Sequence, residues 1–269
     1  MDTSHSSPLP KPDLNIIGLG VKIPDQITAE ARDAMARCSR IFAIVQEPPL
    51  EWLPTGTSEP ISVTNVLGLY AEGALRTQNY DRVADIIFQS LRDTKSVGYV
   101  TYGNPLAYDS VAQNLVRYAR QAEIPVRVVP GISSVDTLLC DLGLDMAPGI
   151  QVYEASWLVA ARIRLEVTVA AIVLQVGSFG SLRTNYRVRP EAASLNLLAE
   201  YLTQFYPKSH ELSLVRSSGA AQQSPHIKKT LLADLCTVHS EDLLNSSLYV
   251  PPLGAARLDE RFLSAIERV

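Results

Sequence analysis

An arginine lies between two tyrosines in the first third of the chain, at spacings that could support chemistry. Tyr70 precedes Arg76 by six residues, and Tyr80 follows it by four. Residues four apart share one face of an α-helix, so Arg76 and Tyr80 are expected to be neighbours if the helix begins early enough. A phenol titrates near pH ~10 and is a weak base unless its phenolate is stabilised. A permanently charged guanidinium could supply that stabilisation, or could hold negative charge that develops on a substrate oxygen.

Each of these residues also has an ordinary structural explanation. Tyr80 continues a stripe with Val83 and Ile87, so its ring could simply belong to the core. Arg76 could be a solvated charge at a helix end. Tyr102, the aromatic residue at the end of a predicted strand, could be buried there with its hydroxyl satisfied. Taken singly, the residues leave both interpretations open.

A turn at 103–105 (Gly-Asn-Pro) is the second feature that could bind a ligand. It follows a run of β-forming residues, and Asp109 after it begins a predicted helix. A strand that ends in such a turn places backbone groups at the carboxyl edge of a parallel sheet, where open α/β sheets bind ligands. Taken alone, the turn is explained as well by an ordinary strand-to-helix connection stiffened by proline.

Gly18 and Gly20 follow the first predicted strand and resemble part of a dinucleotide fingerprint. The third glycine position holds Ile23, so the pattern is weak as a phosphate-binding loop. The two glycines still indicate a binding surface for another ligand, because glycine lets the backbone come close to a ligand.

Alternating strands and helices are predicted to position these features. The first half favours a parallel sheet with helical crossovers, and the second half a mixed-sheet α/β unit. The predicted domains are a disordered tail at 1–12, an N-terminal domain at 13–129, a C-terminal domain at 130–252 and a helical tail at 253–269. Strands are predicted at 14–19, 41–46, 61–66, from 97, and at 126–129, 151–154, 168–176, 210–216 and 247–250. Helices are predicted from 28, at 81–94, at 110–122, after Ser133 (with Asp136 in the first turn), and at 192–205.

Composition excludes several classes of function. The chain is 46% hydrophobic and 19% charged, which supports a folded core, and its net charge of −4 argues against nucleic-acid or anionic-membrane binding. No stretch is long and apolar enough for a membrane span. The three cysteines are scattered without neighbouring histidines, which favours reduced thiols in a cytoplasmic protein over a disulfide framework or a zinc site.

Four motifs together carry a resemblance to a known superfamily. They are GLG at 18–20, YGNP at 102–105, PGISS at 130–134 and LQVGS at 174–178. In this order they resemble the tetrapyrrole methylases, which are two-domain methyltransferases dependent on S-adenosylmethionine (SAM). The resemblance implies that SAM binds in a cleft between an N-terminal parallel-sheet domain and a C-terminal mixed-sheet domain.

Within that superfamily the chain is most similar to the borosin peptide-backbone α-N-methyltransferases. Segments 23–28, 132–144, 152–156 and 247–252 resemble borosin motifs, and the spacing Tyr70-x5-Arg76-x3-Tyr80 matches their catalytic tyrosines and arginine. Tyr102 stands at the tyrosine before their Gly-x-Pro turn. Asn104 departs from the family pattern, which costs little if the turn acts through its backbone.

The resemblance implies two sets of site residues, with SAM as methyl donor, S-adenosyl-L-homocysteine as product and no metal. The implied catalytic set is Tyr70, Arg76, Tyr80 and Tyr102. The implied SAM-binding set is Gly18, Gly20, Gly103, Asn104, Pro105, Ala107, Ser133, Ser134, Gln175, Ser246 and Ser247.

The resemblance also implies a substrate and a partner. Because the sequence ends in a short amphipathic pattern rather than an apolar core peptide, we expect a split enzyme that methylates backbone amides of a separate precursor peptide. A homodimer is expected. Two other functions stay open: methylation of a tetrapyrrole or corrinoid precursor, against which the mildly acidic composition argues, and peptide binding without catalysis.

Overall fold

The computed structural model describes residues 14–44, 52–55, 57, 60–94, 96–184, 192–220 and 222–266. The chain divides into two compact units. The first unit runs to Thr137 and also takes in the later segments 182–186 and 218–223, and the second unit holds the rest. The predicted boundary after residue 129 stays a prediction.

The first unit is built on a five-stranded sheet in which every pairing is parallel. The strand order is β3-β2-β4-β1-β5. All five carboxyl ends therefore lie at one edge of the sheet, as the alternation of strands and helices predicts. The strands are β1 (Leu14–Gly18), β2 (Arg40–Ile44), β3 (Ser62–Asn65), β4 (Val97–Thr101) and β5 (Val126–Val129). The helices are α1 (Ala29–Ala36), α2 (Arg76–Gln89), α3 (Ser110–Gln121) and α4 (Ser134–Leu142), the last of which ends in the second unit.

Alternate strand residues of this sheet supply two separate cores. Ile16 packs with buried residues of α2 and α3, whereas Ile17 packs with buried residues of α1. Successive side chains of a strand point to opposite faces, so a sheet covered by helices on both faces needs apolar residues at every position. Every residue of β1 and β4 is buried accordingly.

The second unit contains a mixed sheet, as predicted. Its order is β6-β7-β10-β8-β9, with one parallel pairing between β6 and β7 and antiparallel pairings elsewhere. One apolar core underlies this sheet. The elements are β6 (Ile150–Glu154), α5 (Ala155–Ala160), β7 (Ala170–Leu174), α6 (Asn196–Leu202), β8 (Glu211–Arg216), β9 (His226–Leu231), α7 (Ser240–Leu243), β10 (Ser247–Val250) and α8 (Glu260–Ile266).

Several predicted bounds are wrong. The helix expected at 81–94 begins five residues earlier, at Arg76, and gives way to a 3-10 turn at Ser90–Arg92. The helix expected at 192–205 opens as a 3-10 turn, and α6 proper spans Asn196–Leu202. Strand β9 is exposed along nearly its whole length, so it carries no alternation of buried and exposed residues from which to predict it. The predicted disordered tail at 1–12 and the end of the strand predicted at 41–46 lie outside the described residues.

Candidate active site

Three predicted motifs meet at the carboxyl edge of the first sheet, and their contact is made of backbone. Gly18 ends β1, Gly103 follows β4 and Gly131 follows β5, and β1 pairs with both of those strands. A Cβ on Gly18 would lie 2.6 Å from the Gly131 nitrogen, and one on Gly131 would lie 2.7 Å from the Gly18 carbonyl carbon. We call these three residues the glycine junction. At Gly18 and Gly131, only a residue without a side chain fits.

Gly103 differs from the other two glycines of the junction because there is open space beside it. Gly103 has a φ of +69° and exchanges backbone hydrogen bonds with Gly20, in which the Gly103 nitrogen donates to the Gly20 oxygen at 2.8 Å. A Cβ on Gly103 would meet no heavy atom within 4 Å. Gly18 therefore serves backbone packing, whereas Gly103 borders free space at the sheet edge.

The turn after Gly103 is closed by its own hydrogen bonds. The Asn104 side-chain oxygen accepts from the Leu106 nitrogen at 3.0 Å, and the Asn104 carbonyl accepts from the Ala107 nitrogen at 3.0 Å. Pro105 is buried. Asn104 thus contributes to the shape of the turn, and a different residue there would need another way to bond the Leu106 nitrogen.

Large apolar side chains are exposed around this turn. Tyr102, Leu106 and Tyr108 are 60%, 47% and 40% exposed, and Ile132 beside the glycine junction is 38% exposed. These residues follow the carboxyl ends of β4 and β5. The alternative that Tyr102 is a buried strand aromatic is therefore wrong, and this sheet edge is apolar and open.

Ser133 and Asp136 form the predicted helix cap. The Ser133 hydroxyl and nitrogen both donate to Asp136 Oδ2, at 2.7 and 2.8 Å, and the Asp136 nitrogen donates to the Ser133 hydroxyl at 3.2 Å. This reciprocal pairing is a capping box with aspartate in place of glutamate. Ser134 is the first residue of α4. A SAM-binding role for the two serines stays a prediction.

The remaining cofactor candidates belong to the second unit. Gln175 was predicted within a strand, but β7 ends at Leu174 and Gln175 has a φ of +59°, outside strand geometry. The Ser246 hydroxyl is buried and donates to the Asp242 carbonyl at 2.6 Å, so it satisfies the end of α7. Ser247 opens β10. Their roles also stay predictions.

Tyr70, Arg76 and Tyr80 are brought together, and we call them the arginine–tyrosine cluster. Arg76 Nε donates to the Tyr80 hydroxyl oxygen at 2.8 Å. The Tyr70 ring meets the Tyr80 ring edge to face, with 6.2 Å between centroids and 79° between planes. The predicted adjacency on one helix face is confirmed. Tyr80 also packs partly against the core, so its ring serves the structure while its oxygen faces a cation.

The fold places the arginine–tyrosine cluster at the same sheet edge as the glycine junction. Tyr70 follows the 3-10 turn Val66–Leu69, which leaves the carboxyl end of β3, and Arg76 opens α2. Because β3 runs parallel to the other four strands, this connection begins at their common carboxyl edge. Chain direction alone therefore brings both features to one side of the first unit.

The half-buried carboxylate of Asp109 distinguishes the surroundings of Tyr99 and Tyr102 from those of Tyr80. The Tyr99 hydroxyl donates to Asp109 Oδ2 at 2.9 Å. Burial, then the Asp109 and Tyr70 charges, raises the pKa of Tyr99 well above its ordinary value. Desolvation and then Asp109 also raise the pKa of Tyr102, although solvent screens both effects at this 60% exposed side chain. A phenolate is thus disfavoured at Tyr99 and Tyr102, whereas a cation faces the Tyr80 oxygen.

The sequence predicts Asp109 only as the start of a helix. It caps that helix, since its Oδ1 accepts from the Ala112 nitrogen at 3.0 Å. Burial raises the pKa of Asp109 despite hydrogen bonds from Ala112, Tyr99 and Thr101 that lower it. A tyrosine ten residues before a capping aspartate is the only trace of this pair in the sequence.

Comparison with known proteins identifies the family. Residues 13–236 match the family described as Tetrapyrrole (Corrin/Porphyrin) Methylases. The chain belongs to this family. Within the described residues no helix could span a membrane, and no cluster of three histidine, cysteine, aspartate or glutamate residues could hold a metal ion.

Several similar proteins carry the names of methyltransferases and cyclic peptide precursors. The type I borosin cyclic peptide precursor ceuMA2 of Cerrena unicolor, named as a methyltransferase and precursor, is 24% identical over 94% of this chain and 62% of its own length. The type II precursor pgiMA1 of Phlebiopsis gigantea is 27% identical over 94% of this chain and 45% of its own length. The chain thus spans less than two thirds of the length of these relatives, 62% of one and 45% of the other. The resemblance to borosin methyltransferases predicted from the motifs is confirmed.

Solved structures share the fold of this family member. The uroporphyrin-III-C-methyltransferase of Thermus thermophilus superimposes with a TM-score of 0.61 at 17% identity, covering 90% of this chain and 93% of that one. The cobalt precorrin-4 methyltransferase CbiF gives 0.59 at 13% identity, covering 88% and 94%. The predicted two-sheet α/β fold is confirmed.

Proposed function

We propose that this protein transfers methyl groups from SAM to backbone amide nitrogens of a precursor peptide supplied as a separate molecule. The observation that carries the proposal is the hydrogen bond from Arg76 Nε to the Tyr80 oxygen, at 2.8 Å, with the Tyr70 ring against the same tyrosine. Family membership and the similarity to borosin precursors support methyl transfer and the peptide substrate.

An amide nitrogen needs help to become a nucleophile, because its lone pair is shared with the carbonyl. The Tyr80 oxygen, stabilised as a phenolate by Arg76, accepts the proton of the substrate N–H. The guanidinium then also faces the charge that develops on the amide oxygen. The new bond joins the nitrogen to the methyl carbon, the bond from that carbon to sulfur breaks, and its electron pair stays on the sulfur.

Tyr80 is the base in this scheme because its oxygen receives a hydrogen bond from the Arg76 guanidinium. Burial and then Asp109 disfavour a phenolate at Tyr99 and Tyr102, whereas the Tyr80 oxygen receives a hydrogen bond from Arg76 Nε. Tyr70 packs edge to face on Tyr80 and limits the positions of its ring. Tyr102, which is exposed at the sheet edge, would contact the substrate or the cofactor.

The carboxyl edge of the first sheet fits SAM, which when bound supplies an electrophilic methyl group on a sulfonium. A side chain at Gly103 would occupy free space there, so the backbone of this turn is open to a ligand. Tyr102, Leu106 and Ile132, which follow the ends of β4 and β5, are exposed, and their apolar groups match an adenine ring or a methionine chain. Asn104, Pro105, Ala107, Ser133 and Ser134 of the same edge are the further residues that would hold it.

The proposal extends to assembly. We expect a homodimer, as the resemblance to borosin enzymes implies. Sedimentation at several protein concentrations measures this directly, and a monomer at concentrations that support full activity would refute it.

Incubation of the purified protein with SAM and synthetic apolar peptides tests the proposal. We expect a mass gain of one methyl group per modified residue, assigned to backbone nitrogens by fragmentation. Tyr80→Phe should lower kcat on the order of 100-fold or more, the scale of a lost general base.

The matched control is Tyr118→Phe. The Arg117 guanidinium lies 4.6 Å from the Tyr118 ring centroid on α3. Tyr118→Phe therefore removes a tyrosine hydroxyl from a second arginine–tyrosine pair. It should keep normal turnover. Methylation of a porphyrinoid instead of peptides would favour the tetrapyrrole alternative, and SAM binding without any transfer would favour peptide binding without catalysis.

A further inference from the structure

A buried asparagine joins the helix turn that carries Arg76 and Tyr80 to the chain next to Tyr70. Asn79 is 1% exposed. Its Oδ1 accepts from the Ala71 nitrogen at 2.9 Å, and its Nδ2 donates to the Ala71 oxygen at 2.8 Å. Two hydrogen bonds to one residue fix both distance and direction, so the backbone beside Tyr70 is held against α2.

The same asparagine reaches a segment from much later in the chain. Asn79 Nδ2 also donates to the Thr184 hydroxyl at 2.7 Å, and Thr184 is buried. Residues 182–184 pair with the chain before α2: the Gly73 nitrogen donates to the Thr184 oxygen, and the Thr184 nitrogen donates to the Ala74 oxygen, both at 2.9 Å. We call residues 182–184 the pairing segment.

The pairing segment also takes the place of a helix cap. Leu75, the residue before α2, has no side chain that can cap the helix. The Arg76 nitrogen instead donates to the Leu182 oxygen at 2.9 Å. An α-helix begins with backbone N–H groups that need outside acceptors. The pairing segment supplies one at the arginine of the cluster, which explains why α2 begins earlier than its sequence predicts.

We propose that Asn79, with Thr184, is a positioning residue for methyl transfer, and the inference rests on the proposed function. Both Nδ2 hydrogens and the Oδ1 atom of Asn79 are engaged by Ala71 and Thr184. It acts on the reaction through Tyr70 and Arg76, whose separation it sets. Reacting groups that move by about 1 Å can lose 100-fold in rate, so this separation is expected to matter.

Asn79→Ala tests the inference by separating kcat from binding. We expect kcat to fall about 100-fold. The peptide KM and the SAM Kd should stay within about threefold, since the side chain is buried and its polar atoms bond to Ala71 and Thr184. The matched control is Asn114→Ala on α3, which removes hydrogen bonds to Asp81 at 2.8 Å and to Arg117 at 3.0 Å without touching the cluster. It should leave kcat unchanged.

Changes at Thr184 keep the test decisive if Asn79→Ala does not fold. Thr184→Val removes the hydroxyl that accepts from Asn79 and keeps the shape, so kcat should fall about 10-fold, consistent with one lost hydrogen bond. Thr184→Ser retains a hydroxyl and should restore turnover. Equal turnover of these two variants would contradict a positioning role for the hydrogen bond.

Hydrogen exchange gives a readout that does not need methyl transfer. The amides of Ala71, Gly73 and Arg76 should exchange faster in Asn79→Ala and keep their protection in Asn114→Ala. If the wild-type protein is active and Asn79→Ala has the same kcat, the inference is overturned. If the wild-type protein methylates no peptide, the proposed function is refuted. Hydrogen exchange then tests only whether Asn79 fixes the backbone around the cluster: lost protection in Asn79→Ala supports that role, and unchanged protection overturns it.

Discussion

The glycine junction and the arginine–tyrosine cluster lie at one edge of the same sheet but are built in opposite ways. The junction consists of backbone atoms so close that a Cβ at Gly18 would come within 2.6 Å of the Gly131 nitrogen. The cluster consists of side chains, joined by a hydrogen bond of 2.8 Å and an edge-to-face ring contact.

This difference predicts how each region fails when it is mutated. Two of the three strands that end at the junction, β1 and β4, are buried along their length, so a clash there is opposed by two packed cores. The cluster is half-buried, and its polar groups can be changed without opening the core. Changes at the junction should therefore appear as lost stability, and changes at the cluster as lost turnover in a folded protein.

Gly131→Ala should have the largest effect. The new Cβ would collide with the Gly103 oxygen and approach the Gly18 carbonyl carbon to 2.7 Å. Neither neighbour is a flexible side chain, so the free energy of unfolding should fall by about 3 kcal/mol, the upper end for overpacking. Denaturant unfolding measures this. The control Gly219→Ala, where a Cβ meets nothing within 4 Å, should stay within about 0.5 kcal/mol of wild type.

Arg76→Lys should have the next largest effect, on turnover. Lysine keeps the positive charge but lacks the fixed guanidinium donors, so the bond from Nε to the Tyr80 oxygen is lost. We expect kcat to fall on the order of 100-fold, as for one lost donor to a developing charge. The SAM Kd and the free energy of unfolding should barely change.

Steady-state kinetics and calorimetry measure these quantities, and Arg117→Lys at the second arginine–tyrosine pair is the control. Normal turnover of Arg76→Lys would mean that charge alone is sufficient. A large loss of stability in the same variant would remove the contrast between the two regions.

Local patterns in the sequence predict the junction better than the cluster. Glycines and prolines after apolar strands indicate three turns at one sheet edge, and Ser133 with Asp136 indicates a helix cap that the structure contains. Arg76 and Tyr80 are four residues apart, so their contact is also local. Each of these features depends on residues within a few positions of one another.

The geometry around the cluster depends on partners far away in the chain. Asn79 and Thr184 are 105 residues apart, and the Leu182 carbonyl that accepts from the Arg76 nitrogen is no closer. No periodicity encodes such a contact. The sequence does contain one signal that could have indicated a distant partner. Asn79 lies four residues before Val83 on the buried face of α2, and a buried polar side chain needs a hydrogen-bond partner.

Asp109→Asn should have the smallest effect. Asp109 combines two roles, because its carboxylate caps α3 and also accepts a hydrogen bond from the Tyr99 hydroxyl. Burial raises the pKa of Asp109 in the folded protein, so the folded state binds its proton more tightly than the unfolded state does. Wild type therefore loses stability as pH rises from the ordinary aspartate value near ~3.9 through the raised pKa.

The Asp109→Asn variant has no such proton, so its stability relative to wild type should increase over that range and then level off. Superimposed on this is a constant loss of about 1 kcal/mol, because one amide oxygen cannot serve both the Ala112 nitrogen and Tyr99 as two carboxylate oxygens do. Urea unfolding at a series of pH values measures the difference, with Asp93→Asn at an exposed site as the control. The opposite slope would mean that hydrogen bonds to the carboxylate outweigh its burial, and Asp109 would then be a charged neighbour that suppresses the Tyr99 phenolate still more strongly.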